Sequence, residues 1–413
     1  MRPSFVPRSA QRLGVFAAAI LVLAALPALA DDAPPNVRVG PGGLGVTSAD
    51  GEWGLNLTGW TQSVGRIYAN DVDERGTSGF AVRRLRTDLR VTAGEIVSGR
   101  MHLAFEGGRA SIFDALLAID ATDQVTIVAG QQVVPLGLEL TQAPTATLFV
   151  ERSLPSTLVP NRDVGLTVNY RTPSGTVGVN AGLFNGAPDN SNAAPLVDEA
   201  LDTVLRVWTR PLAGSDGALS SLQIGVGGMW TPGNDDLGGR PLASGYPTTG
   251  RFVMTRPGAD VSGARGAAYR GTANLWWAHE RTRVLAEGTV SSNRYTNGSE
   301  EAELANVASH FGIGYAIGGT AAWGGVIPDR PLPSGPGAFE IKARVASIHF
   351  GEDTEGTILA PGSVDSAVEV GTGVSWWATR TARWMVDVHH TTFSAANDVP
   401  AETVFISTVQ IGL

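Results

Sequence analysis

Arginines at alternating positions are the most chemically distinctive pattern in this sequence. Arg84, Arg86 and Arg90 occupy even positions, with the apolar Leu85 between the first two and the acidic Asp88 before the third. Arginine keeps its charge at physiological pH, and its planar guanidinium can hold a phosphate or a carboxylate through two N–H groups. If the even positions share one aqueous face, this run predicts a surface that attracts anions.

The same alternation recurs in later segments and extends the predicted charged face. Its further basic members are Arg206, Arg270, Arg283, Lys342, Arg344 and Arg383, and its acidic members are Asp88, Glu106, Asp114, Asp120, Glu287, Glu340 and Asp387. Two interpretations stay open for each basic residue. It can attract a solute, or it can pair with an acid across the same face and brace the structure.

The segments that carry these residues have a period of two, which is typical of β-strands. Runs of about ten alternating residues continue from Gly54 to Leu413 without a helical interlude, separated by Gly, Pro, Asn and Asp, and Gly alone accounts for 52 residues. A soluble sandwich would leave few strands with three charges on one face, whereas a membrane barrel needs apolar residues outside and polar residues inside. Roughly 24 residues per strand and connection give about sixteen strands. The sequence therefore predicts an all-β, transmembrane antiparallel barrel of about sixteen strands.

The N-terminus predicts export. Three arginines precede the apolar run 13–26, and Ala28-Leu29-Ala30 supplies small residues at a cleavage position. We therefore expect a signal peptide at 1–30, a flexible Pro/Gly-rich segment at 31–52 and the barrel at 53–413, in contact with outer-membrane lipid of a Gram-negative-type bacterium. The formal charge of −9 argues against nucleic-acid binding, which needs a basic face.

Other chemistry finds little support in the sequence. There is no Cys, and the six His are not spaced as metal ligands. We therefore expect no metal, no cofactor and no enzymatic activity. Two alternatives remain: an outer-membrane hydrolase that uses Asp387 and His389, which share a strand face, and a closed structural or adhesion barrel.

Four segments between Phe80 and Gly186 resemble one family in order and spacing. Three of them are Val82-Arg83-Arg84-Leu85-Arg86, the run from Gly130 to Glu139 (GQQVVPLGLE), and Glu151-Arg152-Ser153-Leu154-Pro155 with its partner Pro160–Gly165 (PNRDVG). The fourth is Gly182-Leu183-Phe184-Asn185-Gly186. Together they are similar to the phosphate-selective porin O and P family of outer-membrane porins.

This resemblance implies a sixteen-stranded porin, a homotrimer, and inward-folded loops that narrow an anion-conducting pore. It makes Glu151, Arg152, Arg162 and Asp163 candidates for a constriction loop. Phosphate-selective members also use a set of lysines, but this chain has only Lys342. We therefore expect passive diffusion of small hydrophilic solutes with a weak to moderate preference for anions such as phosphate.

Overall fold

The computed structural model describes residues 34–40, 42–69, 76–192, 201–233, 242–261, 263–264, 266–297, 300–352, 358–394 and 399–412. The signal peptide expected at 1–30 lies outside these residues and stays a prediction. No helix within the described ranges is long and apolar enough to cross a membrane.

Sixteen antiparallel strands form a closed barrel, which confirms the predicted fold class. In chain order these strands are β3 (Trp53–Tyr68), β4 (Gly79–Ala93), β5 (Val97–Glu106), β6 (Arg109–Thr122), β7 (Val125–Val133), β8 (Arg162–Arg171), β9 (Val177–Phe184), β10 (Asp202–Thr209), β11 (Gln223–Thr231), β15 (Ala268–His279), β16 (Thr282–Asn297), β17 (Glu300–Ile317), β20 (Ala338–His349), β21 (Ser366–Trp377), β22 (Ala382–Ser394) and β23 (Glu402–Gly412). The barrel closes where β23 pairs with β3, from Val404 opposite Tyr68 to Gly412 opposite Trp60.

Alternating burial along each strand explains why this sequence forms a barrel. In β20, Ile341 is 52% exposed on the outer surface, whereas its neighbour Lys342 is 1% exposed inside. Outward-facing Val, Ile, Leu and Phe recur on strands all around the barrel. Because lipid cannot hydrogen-bond to a backbone, only a sheet closed on itself satisfies every strand while presenting such a surface.

Two short strands lie in the segment 31–52 that was expected to be flexible. β1 (Asn36–Gly40) and β2 (Gly43–Thr47) form a hairpin, and β2 pairs with the start of β3, from Leu44 opposite Leu57 to Thr47 opposite Gly54. The Pro and Gly content did not reveal this hairpin because its pairing partner lies in the following strand. We call the end of the barrel where β3 begins and β23 ends the turn end, and the opposite end the loop end.

Three segments fold into the barrel. The longest, residues 134–161, is called the inward loop; it contains a helix α1 (Leu138–Thr141) and a 3₁₀ helix (Leu154–Leu158). From the loop end, the hairpin β12 (Tyr246–Pro247) and β13 (Val253–Thr255) enters, followed by β14 (Gly263–Ala264), which pairs with β16. From the turn end comes the hairpin β18 (Gly319–Ala322) and β19 (Gly325–Pro328).

If the outer surface faces lipid, charge there should be costly. Val345 lies midway along β20 and is 47% exposed on that surface. We expect Val345→Arg to lower the free energy of unfolding, measured in lipid vesicles, by about 2–4 kcal/mol. As a control, Phe80→Arg, at the loop-end start of β4, should cost about 1 kcal/mol or less. Equal losses for the two variants would contradict a lipid-facing belt.

Candidate functional site

The inward loop lies against one side of the barrel wall and is held there by lumen-facing cations. Arg283 Nη1 donates to Ala146 O at 2.7 Å and Lys342 Nζ donates to Leu148 O at 2.9 Å. Arg383 Nη1 likewise donates to Thr147 O at 2.9 Å. These hydrogen bonds replace the ones that the loop carbonyls would otherwise make to water. A buried carbonyl without such a partner would destabilise the fold.

Arg283 and Lys342 are also paired with acids on the wall, whereas Arg383 Nε donates to Gln410 Oε1 at 3.1 Å. Arg283 Nε lies 2.6 Å from Glu340 Oε1, and Lys342 Nζ lies 2.7 Å from Asp387 Oδ1. Arg344 Nη2 lies 2.7 Å from Glu369 Oε1.

Several predicted pore-lining residues therefore brace the loop. Arg283, Lys342, Arg344 and Arg383 face the lumen as expected, but each is at most 4% exposed beneath the loop. Because a loop distant in sequence covers them, these four fit the bracing interpretation rather than contact with solutes. Arg270 is buried as well and pairs with Asp189 at 2.5 Å. Arg206 is 6% exposed on the lumen face of β10.

An open cavity of about 270 Å³ remains between the inward loop and the β4–β8 wall. We call it the constriction. Its charged lining among the described residues consists of Arg83, Arg84, Arg86, Glu106, Glu151, Arg152, Arg162 and Arg251. Its other lining residues include Phe113, Asn161, Asn190, Asn192, Thr248 and Thr249. Six arginines thus face two glutamates.

Glu151 is the electrostatic centre of the constriction. Its carboxylate accepts from Arg83 Nε at 2.7 Å and Nη2 at 2.9 Å, and from Arg66 Nη2 at 2.5 Å. Arg84 Nη2 and Arg251 Nη2 approach to 3.7 and 3.8 Å. Burial alone would raise the pKa of Glu151, but Arg83 first, and then Arg84 and Arg251, hold it well below its ordinary value. The carboxylate is therefore ionised at neutral pH.

Arg152 carries positive charge that the site compensates only in part. Its side chain donates to the carbonyls of Glu139, Leu140 and Gln142 at 3.1–3.2 Å, which fixes the loop's own fold. Burial lowers the pKa of Arg152 to about 10; Glu139 opposes this shift, and Arg162 and other nearby arginines add to it. At pH 7 it remains charged.

The hairpin β12–β13 contributes a residue that the sequence analysis missed. Arg251, at its tip, has a positive φ of 81° and a side chain that is 51% exposed. Such a backbone conformation is uncommon outside glycine and persists where surrounding structure imposes it. Thr248 Oγ1 donates to Glu402 at 2.7 Å and Arg344 Nη2 donates to Thr249 Oγ1 at 3.0 Å, which anchors the hairpin to the wall.

Alternating charges lead from the constriction toward the turn end. Arg162 Nε contacts Asp114 Oδ1 at 2.7 Å, and Arg100 bridges Asp114 and Asp88. Arg90 Nε then contacts Asp88 Oδ1 at 3.2 Å, with its side chain 60% exposed. Arg90 therefore lies outside the constriction, near the mouth of the turn end.

The remaining predicted site residues are Arg84, Arg86 and Asp163, and they differ in whether they border the constriction. Arg84 and Arg86 border the constriction, but Arg84 is 3% exposed and its Nη1 donates to Val150 O. Asp163 accepts from the backbone N–H groups of Gly186 and Ala187 at 2.7 and 2.8 Å, so it fixes the start of the next loop.

Arg83 shows why strict alternation was insufficient. Gln62 pairs with Arg84 and Ser63 pairs with Val82, so Arg83 is the extra residue of a β-bulge. Both Arg83 and Arg84 consequently face the lumen. The sequence contains a sign of this bulge, because two adjacent arginines in a regular strand would place one charge in lipid. Arg66 and Arg100 could have been found by extending the alternation of β3 and β5, whereas Arg251 lies in a loop without such a pattern.

The ion pairs of Glu151 predict a pH-dependent contribution to stability. Because its pKa is lower in the folded protein than in the unfolded chain, the contribution is complete above the ordinary value of about 4.3 and is lost as pH falls through the folded pKa. We expect Glu151→Gln to lower the free energy of unfolding at pH 7 by about 3–5 kcal/mol, because it leaves buried arginines without their partner.

The difference between wild type and Glu151→Gln should shrink at acidic pH, below the ordinary pKa of a glutamate. The control is Glu303→Gln, since Glu303 forms an exposed pair with Arg294 at 3.7 Å and its loss should cost about 1 kcal/mol or less. A Glu151→Gln variant as stable as wild type at pH 7 would refute the central role of this carboxylate.

Comparison with solved structures supports the fold. The trimer form of OmpT, an outer membrane protein of Vibrio cholerae, superposes with a TM-score of 0.54 at 12% identity, covering 87% of this chain and 99% of that chain. OmpF of Salmonella typhi, in complex with daunomycin, gives 0.53 at 10% identity, covering 92% and 100%. At these identities the likeness concerns the fold alone. No curated protein matches the chain in sequence.

A match to a family model adds evidence from the sequence, which a likeness of fold at such low identity does not give. Residues 56–200 match the family described as phosphate-selective porin O and P, and this range contains β4, the inward loop and most of the constriction. This match over residues 56–200 confirms the resemblance found in the four motifs.

Proposed function

We propose that this protein is an outer-membrane porin that lets small hydrophilic solutes diffuse through a water-filled channel, with a moderate preference for anions such as phosphate. The observation that carries the proposal is the excess of arginine around the constriction, six against two glutamates among the described residues. The family match and the porin-like fold support the general function, and the charges support the selectivity.

The proposed path follows the β4–β8 wall. On the opposite side, the inward loop packs against the wall cations and leaves little space for a solute. A solute that passes Arg86, Arg152 and Arg162 meets guanidinium groups in a confined volume, where salt screens charges less than at an open surface. Charge in the constriction therefore acts on every ion that passes, whereas exposed charges beyond a Debye length of about 8 Å act weakly.

A hydrolase gains no support from the residues that suggested it. Asp387 is fully buried against Lys342, and His389 is 1% exposed with its Nδ1 3.3 Å from Glu369. Neither residue borders the constriction. A substrate would have no access to this pair, so the proposal gives Asp387 and His389 no catalytic role.

Ion selectivity tests the proposal directly. In planar bilayers under a potassium chloride gradient, the wild type should show a chloride-to-potassium permeability ratio above one. Replacing both Arg86 and Arg251 with Gln should lower this ratio by about twofold to fivefold, since a charge a few ångströms from an ion contributes about 1 kcal/mol in water.

Arg281→Gln is the matched control, because Arg281 lies in the turn between β15 and β16, away from the constriction, and should leave the ratio unchanged. Absence of conductance would refute the channel, and a wild type that prefers potassium would refute the anion preference.

The proposal includes assembly as a homotrimer, in line with the family resemblance and the trimer form of the similar Vibrio cholerae protein. Native mass measurement in mild detergent should give three copies per particle. A monomer under these conditions would contradict this part of the proposal while leaving the channel untouched.

A further inference from the structure

A β-bulge turns Phe113 into the lumen. His102 pairs with Asp114 and Leu103 pairs with Ile112, so Phe113 is the extra residue in β6. Without the bulge, alternation from Asp114 would place the ring of Phe113 in lipid. Instead, Phe113 borders the constriction together with the arginines.

The ring of Phe113 lies beside two guanidinium groups. The Cζ atoms of Arg86 and Arg162 are 4.0 and 4.7 Å from its centroid. Each guanidinium also has its Nε tied to an acid, Arg86 to Glu106 at 2.9 Å and Arg162 to Asp114 at 2.7 Å. Two like charges repel each other, and one ring attracts both through its negative face.

The Phe113 ring and an acid hold each arginine, with further contacts from Trp60, whose ring centroid lies 5.4 Å from Arg86 Cζ, and from Asn161, which accepts from Arg162 Nη1 at 3.2 Å. Arg86 keeps donors for a solute. The Nε of Arg86 is occupied, whereas no described side chain or carbonyl accepts from its Nη atoms. An arginine held in this way loses less side-chain freedom when it binds an anion, so its charge stays at the position where solutes pass.

Gln131 holds the bulge from the other face of the sheet. Its Nε2 donates to Ile112 O at 2.9 Å and to Phe113 O at 3.0 Å. It pairs with Ala115 on the outward side, while its neighbour Gln132 accepts from Thr167 in the lumen. An amide on a lipid-facing surface is otherwise costly, and these carbonyls account for its presence.

Gly130 completes the support. Its φ is 120°, and a Cβ there would lie 2.2 Å from Ala115 O. Only glycine allows β6 and β7 to approach this closely beside the bulge. Gly130 and Gln131 therefore hold Phe113 of the neighbouring strand in its position.

We infer that Phe113 is a positioning residue for ion selectivity, acting through Arg86 and Arg162, and that Gln131 acts through Phe113. The inference rests on the proposed anion preference. It adds that an uncharged ring, held by a lipid-facing amide, sets how strongly the constriction arginines act on passing ions.

The test compares variants that keep or remove the aromatic face. Phe113→Leu keeps an apolar side chain without a ring, and should lower the chloride-to-potassium permeability ratio by about twofold to fivefold, as the loss of an interaction of about 0.5–1 kcal/mol predicts. Phe113→Tyr keeps the ring and should retain the wild-type ratio. Phe311→Leu is the matched control, because Phe311 is 47% exposed on the outer surface, and should change nothing.

Gln131→Leu provides a second and independent variant. It touches no solute, so a shift of the ratio in the same direction would show that the bulge transmits the effect. This variant also decides the outcome if Phe113→Leu does not fold. The double variant of Arg86 and Arg251 is measured in parallel.

The outcomes separate the inference from the proposed function. A lowered ratio in Phe113→Leu or Gln131→Leu, with the ratio retained in Phe113→Tyr, supports the inference. Unchanged ratios in the Phe113 and Gln131 variants, alongside a lowered ratio in the arginine variant, overturn the inference and leave the anion preference standing. A wild type without anion preference overturns both.

Discussion

Hydrogen bonds from wall cations to the backbone of the inward loop are the interaction on which the rest of this structure depends. A loop inside a barrel gives up water along its whole length, and its carbonyls need donors that the narrow lumen must supply. Arg283, Lys342 and Arg383 supply them, each approaching a carbonyl within 3 Å. Glu340 and Asp387 in turn compensate Arg283 and Lys342, and Arg383 Nε donates to Gln410 Oε1, so none of these cations is buried without a partner.

This bonding divides the lumen into two sides. On the β15–β23 side the charged side chains are covered, and Phe149 fills the space between Lys342 and Arg344 at 4.7 and 4.8 Å. On the β4–β8 side the wall charges border open volume. Residues of the same type, on the same face of the same sheet, therefore have two roles. An arginine that donates to a carbonyl of the loop fixes its position, as Arg84 also does through Val150 O, and we propose that the arginines bordering the open volume act on solutes that enter it.

The sequence was sufficient for the barrel and only partly sufficient for the site. The period of two correctly gave the face of Lys342 and Arg344, because it depends on local backbone geometry alone. It could not tell that these residues are covered, since that depends on a loop almost 200 residues away in the chain. Trp384, near the start of β22, is 48% exposed on the outer surface, where an interfacial aromatic girdle would use it. Trp377, however, is fully buried inside.

Bulges explain the other residues that alternation missed. A bulge shifts the period by one residue, so Arg83 and Phe113 both face the lumen where simple counting puts them in lipid. In both cases the sequence holds a sign of the shift: two adjacent arginines at 83 and 84, and a glutamine at 131 on a lipid-facing position. Each would be energetically costly in a regular strand, so residues that violate the pattern mark the places where the sheet is irregular.

The acids of the constriction are the reason why we propose only a moderate anion preference for an arginine-rich site. Glu151 contacts several arginines at once, and Glu106 pairs with Arg86 at 2.9 Å. Without these carboxylates, the arginines could not be packed so closely, because their mutual repulsion would be uncompensated. With them, much of the positive field is cancelled before a solute arrives. A passing anion therefore meets only the charge left uncompensated, together with the N–H groups that the acids do not use. The number of arginines alone overstates the attraction, and the formal charge of −9 for the whole chain gives the wrong sign for this one site.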